Sequence, residues 1–441
     1  MTRPTGAIID APPQVVEVGL LGMGVVGAGV ARVLTERAAA VSSHTGGTVH
    51  LRRVLVRDMA KARPTVLPPG TVTTTSADVL DDPAISVIIE LLGGDEPAHS
   101  YIRQALAAGK HVITANKEVI ARHGPQLMAL AREHGVALRY EAAVGGGIPL
   151  IVPFRESLPA NEISSVRAII NGTTNYILTR MSREGLDLPE ALRSAQELGY
   201  AEADPTNDIE GIDAAYKLSI LASLAFHSRV APGDVYREGI TKLTARDFRY
   251  AAELGYAIKL LAIGKRSGDR IEARVHPAFV PLDRILAKVD GVYNAVEVEG
   301  DLTGEVMFYG RGAGERPTTS AVVADVIELA RDICSGVAGR EQAPLSTDMP
   351  VLPMEAVRTR YYVRMSVRDE PGVLAGIAGV LGEANISIAS VVQKEVDEQA
   401  GTAEIVLMTH LAQEASMRSA LAGLASVPGV AEIGSTVRVE G

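Results

Sequence analysis

The sequence predicts an α/β protein: a doubly wound nucleotide-type domain, a second α/β domain, and a small C-terminal unit of βαββαβ order. Three observations predict this. Short apolar strands alternate with helical patterns through residues 1–147. A glycine break at Gly145-Gly146-Gly147 precedes a changed organisation over 148–316. A proline-bearing linker, 336–356, precedes a β-α-β-β-α-β pattern over 357–441.

The elements follow from local pattern. Residues 15–21 read as a buried strand, followed by a glycine turn and an Ala/Val/Leu-rich helix to about Ala40. Strands are expected at 49–56, 85–92, 111–114 and 136–141, with helices at 97–108, closed by Gly109, and at 116–134. In the second domain a strand at 163–170 leads to a polar turn at Asn171, with helices near 188–198 and 211–226 and strands near 271–279 and 292–309. A helix at 317–335 has too broad an apolar face for a linker and is expected to return to the nucleotide domain. Strands at 361–367, 386–394, 402–410 and 429–438, with helices at 371–384 and 412–425, make the C-terminal unit ferredoxin-like.

Composition narrows the function. With 441 residues, 47% hydrophobic and 22% charged, the chain suits two or three globular domains and not a disordered segment. Tryptophan is absent, so the cores must rest on Val, Leu, Ile and Ala. A net charge of −10 with no basic stripe argues against a nucleic-acid partner. The single cysteine, Cys334, excludes an intramolecular disulfide and fits a reducing cytoplasm. Met1 to Pro13 has no apolar signal core, and no run of eighteen apolar residues occurs, so no membrane partner is expected.

Gly22, Gly24 and Gly27 hold the GxGxxG spacing between a strand and a helix, the fingerprint of a Rossmann-like domain. The stretch Gly22-Met23-Gly24-Val25-Val26-Gly27 is the candidate cofactor turn, with the pyrophosphate on the helix N-terminus. The bland alternative is a tight turn with no ligand. The second strand ends Val56-Arg57-Asp58, with Lys61 and Arg63 nearby. An arginine there meets a 2′-phosphate, so Arg57 favours NADP over NAD, and a solvated surface cluster competes with that reading.

Asp213 and Lys217 stand four apart on a helix whose other faces carry Ile212, Ala214, Ala215, Leu218, Ile220 and Leu221. A surface ion pair is the ordinary reading. An apolar helix around the pair favours a site instead. Reduction of an aldehyde places negative charge on its oxygen, which a lysine held by an aspartate can meet. Glu202, on a loop that begins at Gly199, can bind a substrate ammonium group.

With these residues in hand, the segment Ala195 to Lys217 resembles the homoserine dehydrogenase signature. Leu91-Leu92-Gly93-Gly94, Thr114-Ala115-Asn116-Lys117, Glu141-Ala142-Ala143-Val144-Gly145-Gly146-Gly147-Ile148-Pro149 and Asn171-Gly172-Thr173-Thr174-Asn175 resemble further family segments in the expected order, over about 15–335. The resemblance implies reversible, NADP- or NAD-dependent reduction of L-aspartate 4-semialdehyde to L-homoserine, in the biosynthesis of threonine, methionine and isoleucine. It makes Lys217 the proton donor and Lys117 a second catalytic or cofactor-contacting lysine. Asp213, Glu202 and Gly199 then serve the substrate, and Gly93 and Gly314 the cofactor. Glu141 with the carbonyls of Val144, Gly146 and Ile148 would surround a monovalent cation, sodium. The residues themselves give only a glycine hinge there, and for Lys117 a solvated helix start behind the cap Asn116. In Gly310-Arg311-Gly312-Ala313-Gly314-Glu315-Arg316-Pro317 the family pattern expects glycine where Glu315 stands, and a carboxylate there could repel phosphate.

Asp369-Glu370-Pro371-Gly372-Val373-Leu374 and Asn385-Ile386 resemble an ACT domain, which implies an amino-acid effector, threonine by family resemblance, bound between paired copies in a homodimer or homotetramer. Plain oligomerisation is the alternative. No aspartate-kinase region stands upstream, so a monofunctional enzyme is expected. The middle domain would also serve dimerisation. Two rival functions are weighed. Another amino-acid oxidoreductase acting through a thiol would have to use Cys334. A non-catalytic nucleotide sensor would have no use for Asp213 and Lys217.

Overall fold

Alternation of apolar runs with glycine-bounded helices builds a six-stranded parallel sheet at the start of the chain. In this computed structural model residues 14–63, 65, 67–339, 347–397 and 401–441 are described. The segment Met1–Pro13 and the part of the linker that holds Pro344 lie outside the described residues. The strands are β1 (Val15–Leu21), β2 (Thr48–Leu55), β3 (Val72–Thr73), β4 (Val87–Glu90), β5 (His111–Thr114) and β6 (Leu138–Arg139). Their order, β3-β2-β1-β4-β5-β6, reverses direction between β1 and β4, where doubly wound folds open a crevice at the strand carboxyl ends. β6 is shorter than the expected 136–141 because Glu141 already begins a 3₁₀ turn.

Two compact units divide the chain. The first comprises residues 1–156 and 313–346, and so includes the helix Glu315–Cys334. That helix packs on the helix Val25–Glu36. Val322, Val326 and Leu329 join Val30, Leu34, Val18 and Leu20 in one core. Each such side chain contributes about 1.5–3 kcal/mol of burial, which explains why an amphipathic helix so far along the chain belongs to this unit.

The second unit comprises 157–312 and 347–441. It contains β7 (Ile163–Ile169), β8 (Tyr236–Arg237), β9 (Tyr256–Ser267), β10 (Arg270–Pro281), β11 (Tyr293–Gly300), β12 (Gly304–Arg311), β13 (Arg358–Arg368), β14 (Ile388–Asp397), β15 (Thr402–Thr409), β16 (Ala412–Gln413) and β17 (Val430–Val439). The order is β12-β11-β7-β9-β10-β17-β13-β15-β14, with β8 on β10 and β16 on β13. The last four strands, with helices Val373–Glu383 and Glu414–Leu424, form the ferredoxin-like module, which has its own core around Val363, Ile377, Leu381, Leu407 and Leu424.

The module is not held by its linker alone. β17 pairs parallel to β10 through Ala278↔Arg438 and Phe279↔Val439, so one sheet runs through the unit. Ion pairs reinforce the join: Arg364 to Asp247 and Arg274 to Glu440, both buried and at 2.9 Å, and the part-buried Arg438 to Glu238 at 2.9 Å. From Thr347 onward the linker is pinned too, since Thr347 bridges Ser228 and Val351 bridges Ile271.

The helix Gly172–Glu184, expected only as a turn, starts with Gly-Thr-Thr, which are poor helix formers, and it depends on the Asn171 cap. The helix Ala245–Glu253 and the strand β9 also escaped the sequence reading.

Candidate functional site

In the first unit the glycine turn closes the β1–helix connection. Gly22 has φ +98, a conformation that side chains resist. A Cβ on Gly27 would fall 2.1 Å from the Gly22 carbonyl oxygen, so only glycine lets the helix approach. Gly24 is different: a Cβ there would meet nothing within 4 Å. The helix Val25–Glu36 starts at Gly24 with no side-chain cap, and Val25 is exposed. Uncapped N–H groups beside an open glycine fit a pyrophosphate. The stretch Gly22 to Gly27 thus lies at the strand-to-helix connection that the spacing predicted.

Glu90, which the sequence reading missed, organises the neighbouring turns. This fully buried carboxyl accepts from the Leu92 N–H at 2.7 Å and the Thr114 hydroxyl at 2.6 Å. It thereby ties the Gly93-Gly94 turn to the turn that carries Lys117. Burial pushes its pKa above the ordinary carboxylate range, against these hydrogen bonds. Its only trace in the sequence is one acid at the end of an apolar run. Asn116 caps the helix Lys117–Glu133 and donates to the Gly94 carbonyl at 2.6 Å, so Lys117 leaves a fixed helix start.

At the end of β2, Arg57 is exposed, while the Asp58 carboxylate accepts from the Ala60 N–H at 2.8 Å. Arg63 is turned back onto the Asp58 and Lys61 carbonyls. Glu315 forms an ion pair with Arg32 at 2.7 Å, so its charge is met on the glycine-turn helix itself. The expected repulsion of phosphate is weakened accordingly.

Glu141 does not sit as a carboxylate plus three carbonyls would suggest. Its side chain accepts from the N–H groups of Leu150 (2.5 Å), Ile151 (3.0 Å) and Val152 (2.8 Å). The carboxylate is thus occupied by backbone donors, and the segment with Val144, Gly146 and Ile148 runs between Glu141 and those donors. No group of three or more His, Cys, Asp or Glu side chains suited to a metal occurs among the described residues. Asp325, also missed, accepts from the Glu141 N–H at 3.0 Å, and burial together with the Glu141 charge raises its pKa to about 8.

In the second unit, the helix Ile212–Ala225 is apolar nearly all round and buries both charged residues, Asp213 at 6% and Lys217 at 8% exposure. The Lys217 ammonium donates to Asp213 Oδ2 at 2.7 Å and to the Ile170 carbonyl at 3.0 Å. Asn171 donates to Asp213 Oδ2 at 2.9 Å and to Asp208 Oδ1 at 2.7 Å. Asn171 and Asp208 thus join the Asp213–Lys217 pair, although the sequence reading, which noted both segments, gave neither residue a role. Glu202 and Gly199 lie on the preceding loop. Gly199 has φ +73, and among the described residues no hydrogen bond joins the exposed Glu202 carboxylate to the Asp213–Lys217 pair.

The C-terminal turn places Gly372 in the left-handed region (φ +94) as the helix cap, with Asp369 and Leu374 exposed and Val373 buried. Asn385, at φ +57, follows the end of that helix, where asparagine tolerates left-handed backbone, and Ile386 is buried behind it. Cys334 is half-buried beside Gly47, and burial raises its thiol pKa, which makes it a poor nucleophile.

A glycine-turn helix on a parallel sheet and a buried lysine–aspartate pair define an oxidoreductase that uses a nicotinamide nucleotide. Residues 22–141 match the homoserine dehydrogenase NAD binding domain, 149–327 match homoserine dehydrogenase, and 361–429 match the ACT domain. A homoserine dehydrogenase of Pseudomonas aeruginosa is 45% identical over 96% of this chain and 99% of its own length. The chain belongs to the homoserine dehydrogenase family, oxidoreductases that interconvert aspartate semialdehyde and homoserine, and carries a C-terminal ACT domain. The crystal structure of a homoserine dehydrogenase from Thiobacillus denitrificans superposes with a TM-score of 0.91 at 45% identity, covering 97% of this chain and 99% of that one. A hyperthermophilic archaeal homoserine dehydrogenase in complex with NADPH superposes with a TM-score of 0.60 at 28% identity, over 71% of this chain and 97% of that one. Among the described residues no helix is long and apolar enough to cross a membrane.

The glycine geometry separates folding from binding. Gly24→Ala should fold, at a cost of about 1 kcal/mol as a poorer helix cap, because its new methyl meets nothing. It should nevertheless lose nucleotide affinity by about tenfold or more, because the methyl enters the space left for the pyrophosphate. Fluorescence titration with NADPH beside a melting curve tests this, and unchanged affinity would place the phosphates elsewhere.

Proposed function

We propose that Lys217 is the proton donor in the reduction of L-aspartate 4-semialdehyde to L-homoserine, and that Asp213 holds it. The observation that carries this is a buried ammonium fixed by one carboxylate and one main-chain carbonyl inside an apolar helix. The bound nicotinamide supplies hydride to the aldehyde carbon. As that C–H bond forms, the carbonyl π pair moves onto oxygen, and Lys217 gives the oxygen a proton, directly or through water. The lysine is reprotonated from solvent, and in the reverse direction it accepts the hydroxyl proton. Asp213 and the Ile170 carbonyl orient the ammonium, and Glu202, on its exposed loop, binds the substrate ammonium group with Gly199 shaping the approach. Lys117 contacts the cofactor or the reacting oxygen from its fixed helix start.

Arg57 meets the 2′-phosphate of NADP in this reading. Support comes from its exposure and from the engagement of the neighbouring Asp58 carboxylate by Ala60, which leaves the acid less suited to the ribose hydroxyls of NAD. A monovalent cation, sodium by family resemblance, would be held by main-chain oxygens of the turn from Glu141 to Ile148, which suit a hard ion. Loss of activity in sodium-free potassium or lithium buffers, restored by sodium, tests that assignment. The ACT domain binds an amino-acid effector, threonine, at the Asp369–Leu374 turn and Asn385–Ile386, between paired modules of a homodimer or homotetramer. Sedimentation as a monomer would remove the paired site. The lone thiol suits the cytoplasm, which cell fractionation can check.

Lys217→Ala should lose mainly turnover, by roughly 10²–10⁴-fold if general acid catalysis is its role, with KM little changed. Turnover near the parent value in a steady-state assay would reject the assignment. Arg57→Ala should weaken NADPH more than NADH, by about tenfold for one lost charge-assisted contact, and equal effects on both would make Arg57 a bystander. Millimolar threonine should inhibit the full chain, and Asp369→Ala should relieve that inhibition while leaving basal turnover in place. No inhibition at all would end the threonine proposal.

A further inference from the structure

Asn171 makes four hydrogen bonds with one side chain. Its oxygen accepts from the Thr174 N–H at 2.8 Å and the Thr174 hydroxyl at 2.9 Å, which caps the helix Gly172–Glu184. Those two donors settle which end of the amide is oxygen. The NH₂ end therefore faces the carboxylates, and it donates to Asp208 at 2.7 Å and to Asp213 at 2.9 Å. Lys217 donates to the same Asp213 oxygen.

We propose that Asn171 is a positioning residue of the substrate-side site: one amide ties Asp208 to Asp213 and keeps both carboxylates in the ionised arrangement that the Lys217 ammonium requires. Two carboxylates brought together out of water tend to share a proton. The Asp208 carboxyl shows that tendency, pushed up by burial and by the Asp213 charge while the Asn171 amide, Lys217 and the Thr173 hydroxyl pull it down. Asn171 supplies a hydrogen-bond donor to each carboxylate. Its position is doubly fixed, because the cap that starts the helix aims the amide. A helix signal and a site residue are therefore one side chain.

The proposal rests on the reading of Lys217 as the proton donor, and its test separates the two. Asn171→Ser keeps a good helix cap and removes the NH₂ group, and Asn171→Asp keeps the cap oxygen and adds a third acid. The readout is the pH profile of kcat/KM for aldehyde reduction, taken beside melting curves. Without the amide the carboxylates take up protons at higher pH, so the acid limb should move up by about one pH unit, a tenfold effect on that limb, and further in Asn171→Asp. Raising the pH should restore much of the Asn171→Ser activity. A profile of unchanged shape, merely scaled down with the melting temperature, would reduce Asn171 to a helix cap and overturn the proposal. If that profile is unchanged while Lys217→Ala is inactive, the proposal fails and the proton-donor reading stands. If Lys217→Ala is active, both fall.

Discussion

The proposed substrate-side site depends on one buried ion pair, Lys217 with Asp213, set inside an apolar helix. Removing a charge from water is costly unless a partner and further hydrogen bonds replace the solvent. Lys217 has its replacement in Asp213 and the Ile170 carbonyl, and Asp213 in turn has Asn171. Breaking a buried pair of this kind costs about 3–5 kcal/mol, because the remaining charge is stranded. The cost explains why the supports are backbone and cap groups of packed elements, which cannot swing away. An ion pair on a solvated helix face would be worth little and would hold no geometry.

At the strand-to-helix turn of the nucleotide domain, glycines remove side chains from the space in front of the helix N-terminus. Gly22 turns, Gly27 admits the helix, and Gly24 leaves its Cβ position empty, so the backbone at the helix N-terminus stays open to an anion. Acidic groups nearby are answered locally: Glu315 by Arg32, the Asp58 side chain by a backbone amide, and Glu90 by hydrogen bonds and burial. Glu141 follows the same logic, since three amides of the Leu150–Val152 turn take its carboxylate.

The fold class, the glycine turn and the Asp213–Lys217 pair were legible in the sequence because each is local. Periodicity reveals a strand or a helix, GxGxxG spans six residues, and two charges on an otherwise apolar helix stand out. What was not legible is long-range. Asn171 and Asp213 are 42 positions apart and meet only once β7 and the helix Ile212–Ala225 are packed. The helix Gly172–Glu184 was hidden because its first residues are poor helix formers and its cap is what makes it possible. The role of the Glu141 carboxylate could not be read, because its partners are backbone amides and carry no sequence signature. The pairing of β17 with β10 was equally invisible, since a strand edge does not name its neighbour.

That pairing joins the C-terminal module to the strand on which the helix Ile212–Ala225 packs. β10 carries Val275, which lies against Gly211 at the start of the Lys217 helix, and β17 extends the same sheet. In the proposed mechanism Asp213 and Lys217 act as one catalytic unit. A double-mutant cycle on kcat for aldehyde-dependent NADPH oxidation, with Asp213→Asn, Lys217→Met and the double variant, tests it most directly. The account predicts strong non-additivity, with the double variant no slower than Lys217→Met alone. Losses that multiply independently would contradict it.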